Sequence, residues 1–182
     1  MGSWEALASF LAALPEEDRA RFSRYAVLDL PEDPGALTAA LRAHAAQNPT
    51  ASDLLATTGI RAALSRDLDL ARSLGAAALE LAETPQEREL AHVCLAQAHF
   101  QNRREEEDLL AFEEHCRAAI DLGHAGTFCY ERLAALYEYR GDREEAAEVC
   151  RRAVGALEAA GDARSAERFR RRLQRLSGGA FG

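Results

Sequence analysis

The sequence contains no lysine, and all 22 of its basic residues are arginine, which we attribute to GC-rich codons. Against 30 acidic residues they leave a net charge of −8. This charge argues against a general nucleic-acid binder, whose affinity comes from neutralising phosphates. Aromatic residues make up only 7% of the chain and valine is sparse, so the core must rest mainly on alanine and leucine. That composition favours helices over strands.

Several motifs with known chemistry are also missing. The sequence has no GxSxG, no HExxH, no CxxC and no glycine-rich phosphate loop, so we predict neither an enzyme nor a cofactor site. Its four cysteines lie in apolar helical stretches and read as buried free thiols. No apolar run is long enough to span a bilayer, and the N-terminus lacks a basic leader. We therefore expect a cytoplasmic protein without membrane or nucleic-acid partners.

Helical periodicity is clearest between residues 130 and 154. Tyr130, Leu133, Ala134 and Tyr137 recur at the spacing that places them on one face of a helix. Gly141 can take the left-handed conformation that ends such a helix. The pattern then resumes, so we predict two short helices that pack as a hairpin.

The second helix of this hairpin begins after Asp142, a predicted N-cap with Glu145 in the capping-box position. The residues of its apolar face have small side chains, so two helices can approach closely there. The residues of this face are Ala146, Val149, Cys150 and Ala153.

The hairpin closely resembles a tetratricopeptide repeat, or TPR. Its aromatic, leucine and alanine positions in the first helix, its Arg-Gly-Asp turn and its small residues in the second helix all match the signature. Cys150 stands where the family usually has Tyr or Phe, and Glu158 replaces the closing proline. The resemblance implies an all-α, right-handed superhelix of antiparallel helix pairs.

Three weaker copies of the pair precede the best one. The helices of these copies are predicted at 16–28 and 34–49, at 53–64 and 67–85, and at 89–100 and 109–123. In the second copy, Gly59, Ala71, Gly75 and Ala78 are the small residues at the helix crossing. We predict a single domain over 1–182, with these segments: an N-terminal helix (1–15), a degenerate repeat (16–50), a repeat (51–88), a repeat with a turn insertion (89–126), the best-matching repeat (127–160), a capping helix (161–177) and a tail (178–182).

The capping helix carries an unusual charge. Residues 162–182 hold six arginines and two acidic residues, a net charge of +4, whereas the rest of the chain carries −12. The predicted polar face of this helix comprises Arg164, Arg168, Arg171 and Arg175, opposite a buried stripe. Such a face could contact an anionic lipid, RNA or an acidic partner. The simpler interpretation is a solvated cap whose arginines pair with nearby acids.

In TPR proteins the first helix of each pair lines a concave groove that binds peptides. The resemblance therefore implies an apolar groove with an acidic rim, suited to a helix or extended peptide of a protein partner. A chaperone-tail clamp is not expected, because the basic cluster it needs is missing. The predicted groove residues are Ile60, Leu64, Leu90, Val93, Gln97, Phe100, Phe128, Glu131, Glu138 and Tyr139.

Three alternatives remain open at this point. Trp4 and Phe10 of the N-terminal helix, or a second subunit in a homodimer, could fill the groove instead of a ligand. The protein could also be a secretion- or assembly-type TPR chaperone, or a regulator that responds to a peptide or small ligand. A metal site formed by His92, His99 and His115 with nearby cysteines is not predicted, because the spacing typical of zinc ligands is missing and helix packing explains these residues.

Overall fold

Every regular element of the computed structural model is an α-helix within the residues that it describes, 3–44 and 48–178. The all-α prediction is therefore confirmed for this part of the chain. Its ten helices are α1 (Ser3–Ala13), α2 (Glu16–Ala26), α3 (Pro34–Ala43), α4 (Ala51–Leu64), α5 (Leu68–Leu81), α6 (Pro85–Gln101), α7 (Glu106–Asp121), α8 (Phe128–Arg140), α9 (Arg143–Ala159) and α10 (Ala163–Gly178).

Each of these helices corresponds to a predicted one, but some boundaries differ. The start of α6 lies at Pro85 and not at residue 89, because Thr84 and Glu87 form a capping box. The end of α3 lies at Ala43, whereas the sequence predicted a helix as far as residue 49. Residues 45–47 of that prediction, and 179–182 of the predicted tail, lie outside the described residues.

The capping box of α6 supports a first prediction. The Thr84 side chain accepts a hydrogen bond from the Glu87 amide at 3.2 Å, and the Glu87 carboxylate accepts one from the Thr84 amide at 3.2 Å. Replacing Thr84 with Ala should lower the free energy of unfolding by about 1 kcal/mol, because an amide of the first turn loses its partner. Thr84→Ser keeps the hydroxyl and should stay near wild type in urea denaturation. Equal losses in both variants would contradict this role.

The helices form two compact units, residues 1–115 and residues 116–182, with the boundary inside α7. In unit 1, α4, α5 and α6 pack against one another, while α1 lies on α3 and α2 lies on α4. Leucine and alanine fill this core, as the composition predicts. Trp4 and Phe10 of α1 are half-buried and pack against the same core.

The packing of α2 differs from the hairpin of α2 with α3 that the sequence predicted. Arg21 donates to the Asp67 carboxylate at 2.7 Å, and Arg61 of α4 donates to the Tyr25 carbonyl at 2.9 Å. Val27 then ends α2 in the left-handed conformation, with φ of 55°. These bonds hold α2 against α4 and the start of α5.

Small residues allow the close approach of α4 and α5, as predicted, and also the approach of both helices to α6, which was not predicted. A β-carbon added to Gly59 would lie 2.5 Å from Sγ of Cys94, and one added to Gly75 would lie 2.8 Å from the Leu95 side chain. Ala71 and Ala78 are fully buried at the same contact. The glycines are therefore required by distance and not by backbone conformation.

In unit 2, α9 packs against both α8 and α10. All eight residues predicted for the two hairpin faces between Tyr130 and Ala153 are buried. From α10, Ala166 and Phe169 are buried, and the Phe169 ring meets the Tyr130 ring edge-on at 6.1 Å. Leu173 and Leu176, which the sequence placed in the same buried stripe, are half-buried.

The turn between α8 and α9 confirms one prediction and corrects another. Gly141 ends α8 with φ of 86°. The Asp142 amide donates to the Tyr137 carbonyl at 2.8 Å, which closes a Schellman-type end of the helix. Asp142 precedes α9, but its side chain makes no capping hydrogen bond, so the predicted capping box with Glu145 is wrong. Its ψ of 66° departs from the extended conformation that a capping side chain needs.

The four cysteines, Cys94, Cys116, Cys129 and Cys150, are free and buried, as predicted. Burial raises the pKa of Cys94 to about 12. Burial is also the largest of the effects that together raise the pKa of Cys150 to about 11. Each thiol lies in a different helix, from α6 to α9.

Candidate functional site

The predicted groove residues of unit 1 are mostly parts of its packing. Ile60 and Leu90 lie against the core, and only Leu64, with 61% of its surface exposed, projects freely into solvent. The Phe100 ring packs on Phe112 at 5.2 Å and lies beneath the Arg103 guanidinium at 4.5 Å. Val93 and Gln97 are half-buried. Phe100 therefore contributes to the packing of α6 against α7 and is only partly available at the surface.

The predicted residues of unit 2 lie on α8 with different exposure. Phe128 and Glu131 are half-buried, Glu138 is exposed, and Tyr139 exposes 90% of its surface. Glu131 forms an ion pair with Arg168, and Glu138 accepts from Arg172 at 2.5 Å. The two glutamates predicted for the acidic rim of the groove therefore pair with arginines of α10. This agrees with the interpretation of α10 as a cap that pairs with nearby acids.

Two adjoining cavities run between α8 and α10. The first, about 480 Å³ in volume, is lined by Glu131, Ala135, Phe169 and five arginines. The second, about 410 Å³, is lined by residues of α8, α9 and α10 and shares two of those arginines with the first. We call both together the arginine groove. Its arginines are Arg132, Arg143, Arg168, Arg171, Arg172 and Arg175.

The charge of the arginine groove is opposite to that of the whole chain. Its six arginines face only two acids, Glu131 and Glu138. Arg171 is 74% exposed and contacts Glu167 at 3.1 Å. Arg175 has no ion pair within residues 3–44 and 48–178. A positively charged rim around a buried phenylalanine is suited to an acidic ligand.

Three arginines of this groove, Arg168, Arg171 and Arg175, were predicted on the polar face of α10, but that face was interpreted as a solvated cap and not as a site. The predicted ligand site lay only on the first helix of each pair, whereas α10 supplies half of the groove's lining. The net charge of +4 over residues 162–182 was the signal that could have found them. The pairing of these arginines with α8 could not be derived from the sequence, because it depends on how α10 packs.

A histidine cluster lies in unit 1, between α6 and α7. The two Nδ1 atoms of His92 and His115 are 3.0 Å apart, so one nitrogen must donate and the other accept. The His99 ring stacks on His115 at 5.7 Å, and its Nδ1 bonds the Asp108 carboxylate at 2.6 Å. Asp108 also accepts from Arg72 at 2.7 Å. The cluster therefore holds the His92–His115 pair in its neutral form.

Burial and the neighbouring His92 and His99 lower the pKa of His115 to about 4. Burial likewise lowers the pKa of His92, against the opposing effect of Glu114. Burial raises the pKa of Asp108, but hydrogen bonds from His99 and Asn102 and the charge of Arg72 outweigh it, so that pKa lies below its ordinary value. His92 and His115 therefore resist protonation near neutral pH.

The residues described, 3–44 and 48–178, also bear on metal binding and membrane insertion. No group of three histidine, cysteine or acidic side chains there has a geometry that could hold a metal ion. None of the helices α1 to α10 is long and apolar enough to cross a membrane.

No protein-family model, no curated protein and no solved structure matches this chain. The TPR resemblance therefore depends on the residues of the chain alone.

Proposed function

We propose that the protein is a TPR-like helical-repeat module, capped by α10, that binds a segment of a partner protein in the cytoplasm. The hairpin of α8 and α9 supports the repeat interpretation, since all of its signature positions are buried. The free, buried thiols are consistent with a reducing compartment.

The observation that carries the binding proposal is the exposure of Tyr139. This residue leaves 90% of a large aromatic surface in solvent, near the end of α8. Ala135, which lines the arginine groove, lies one helical turn before it and therefore on the same side of α8. Tyrosine is among the residues that dominate interface energies, because it buries much area and loses little conformational entropy. An exposed tyrosine beside an open groove is the pattern of an interaction surface.

The corresponding test replaces Tyr139 with a photo-crosslinking phenylalanine analogue in cells of the source organism. We expect the analogue to give one discrete crosslinked protein. We expect that the same protein no longer co-purifies with the Tyr139→Ala variant. The free energy of unfolding should change by less than about 0.5 kcal/mol, since the side chain makes little contact. Phe100→Ala is unsuitable for this test, because that ring packs on Phe112.

Leu110 offers a matched control. It is another exposed large hydrophobic residue, at 55% of its surface, and it lies outside the predicted groove. The same analogue at position 110 should give no discrete product. Identical products at both positions, or none at position 139, would refute the proposal.

A further inference from the structure

We propose that the arginine groove binds an acidic segment of the partner protein, through carboxylate side chains that pair with Arg171 and Arg175. This inference rests on the proposed function, because it names the chemistry of the partner at the same face of α8 and α10. The resemblance implied a ligand held mainly by apolar contacts, so this proposal departs from that expectation.

The first argument is the balance of charge within the groove. Its lining contains six arginines and two glutamates. Glu131 and Glu138 already pair with Arg168 and Arg172. Arg171 has one solvent-exposed contact, with Glu167, and Arg175 has no ion pair within residues 3–44 and 48–178. Additional carboxylates would complete the set of charge pairs. Arginine suits this role because its planar guanidinium can bind a carboxylate through two hydrogen bonds.

The second argument is the spacing along α10. Arg168, Arg171 and Arg175 follow each other at three and four residues, so they share one face of the helix. From first to last they span about 10 Å along the helix axis. Acidic residues at the same spacing in a partner helix, or at alternate positions of an extended chain, would match them. A segment of a few residues is therefore sufficient.

Larger polyanions fit the groove less well than a short acidic segment does. Outside residues 162–182 the chain carries a net charge of −12. Electrostatic interactions in water decay over about 8 Å at physiological ionic strength, so a short segment experiences mainly the groove. A nucleic acid or an anionic membrane would extend far beyond the groove, whose arginines on α10 span only about 10 Å along the helix axis. The charge distribution thus favours a short acidic protein segment.

The test uses two synthetic helical peptides of equal length, both blocked at their termini. One carries glutamates at intervals of three and four residues, and the other has glutamine in their place. Titration followed by fluorescence anisotropy should show binding of the glutamate peptide, weakened by raised salt. The glutamine peptide should bind at least about tenfold more weakly, because its charge pairs are missing.

Two double variants separate the groove from general charge. Arg171→Gln with Arg175→Gln should weaken binding of the glutamate peptide by about tenfold or more. Arg66→Gln with Arg104→Gln removes the same charge, and both of its arginines are exposed and lie outside the groove. This control should bind within about twofold of wild type. Circular dichroism should show the same helicity in all variants.

Several outcomes would overturn the inference: equal weakening in both double variants, no binding of the glutamate peptide, or tighter binding of a single-stranded RNA or of anionic vesicles. Self-association lost in the groove variant alone would assign the groove to a second copy of the chain and would also overturn it. If the crosslink at position 139 persists while the glutamate peptide fails to bind, the interaction module stands and only the acidic partner is wrong. If both fail, the proposed function fails with it.

Discussion

Gly59→Ala should lower the free energy of unfolding of unit 1 by about 2 kcal/mol. The new methyl group would lie 2.5 Å from Sγ of Cys94 and 3.3 Å from both the Ala71 carbonyl and the Leu74 β-carbon. Cys94 is fully buried, so its sulfur can move only by displacing other core atoms. Overpacking of this kind costs about 1–3 kcal/mol and outweighs the gain of up to about 1 kcal/mol that alanine brings to a helix.

Gly155→Ala provides a control of opposite sign. Gly155 lies within α9, and a β-carbon added there meets no atom within 4 Å. The change should therefore stabilise unit 2 by about 0.5–1 kcal/mol through helix propensity alone. Amide hydrogen exchange in denaturant measures the two units separately. Stabilisation of unit 1 by Gly59→Ala would show that the approach of α4 to α6 is looser than described.

A double-mutant cycle identifies the contact responsible. Cys94→Ala removes the sulfur that the new methyl group meets, at the cost of a small cavity. The combined Gly59→Ala and Cys94→Ala variant should be more stable than the sum of the two single changes predicts, by about 1 kcal/mol. Strict additivity would place the strain elsewhere, at Ala71 or Leu74.

Acidification from pH 7 to pH 5 should lower the free energy of unfolding of unit 1 by about 2 kcal/mol through His115. In the unfolded chain a histidine binds a proton near its ordinary pKa of about 6.5. In the folded protein the pKa of His115 is about 4, so the unfolded state gains protons that the folded state does not. The loss therefore begins as the pH falls through about 6.5 and is complete below about 4, while stability above 7 is unaffected.

Unfolding in urea across this pH range, followed by hydrogen exchange of α6, measures the effect. His115→Gln removes the titrating group and should flatten the dependence, whereas His44→Gln lies outside the cluster and should leave it unchanged. The carboxylate of Asp108 does not interfere, because its lowered pKa keeps it ionised throughout this window. An unchanged slope in His115→Gln would mean that the His92–His115 pair does not control acid stability.

The sequence alone was sufficient for the helices and for the tight crossings. The periodic stripe from Tyr130 to Tyr137 and the glycines at 59 and 75 have a local signature, because a helix face and a close contact each demand particular residue types. The packing of α2 against α4 has no local signature in the sequence. It depends on hydrogen bonds between residues about 40 positions apart, such as those from Arg21 and Arg61.

The candidate site was less predictable for the same reason. Tyr139 was predicted because the TPR resemblance places exposed residues of the first helix in the groove of that family, and the structure shows only that Tyr139 is exposed. The arginine groove was missed because its lining combines residues more than 30 positions apart, such as Glu131 and Arg168. Only tertiary packing brings them together. The charge excess of residues 162–182 was visible, but not the surface that it would face.

The four buried thiols have a practical consequence for following this molecule in solution. Alkylating reagents attack the thiolate, and the raised pKa of Cys94 and Cys150 suppresses that form in the native state. All four thiols are also buried, so alkylation of any of them requires local opening of the structure around its helix. Because α6, α7, α8 and α9 each hold one thiol, the alkylation rates of the four cysteines would measure local opening at four helices without any added label.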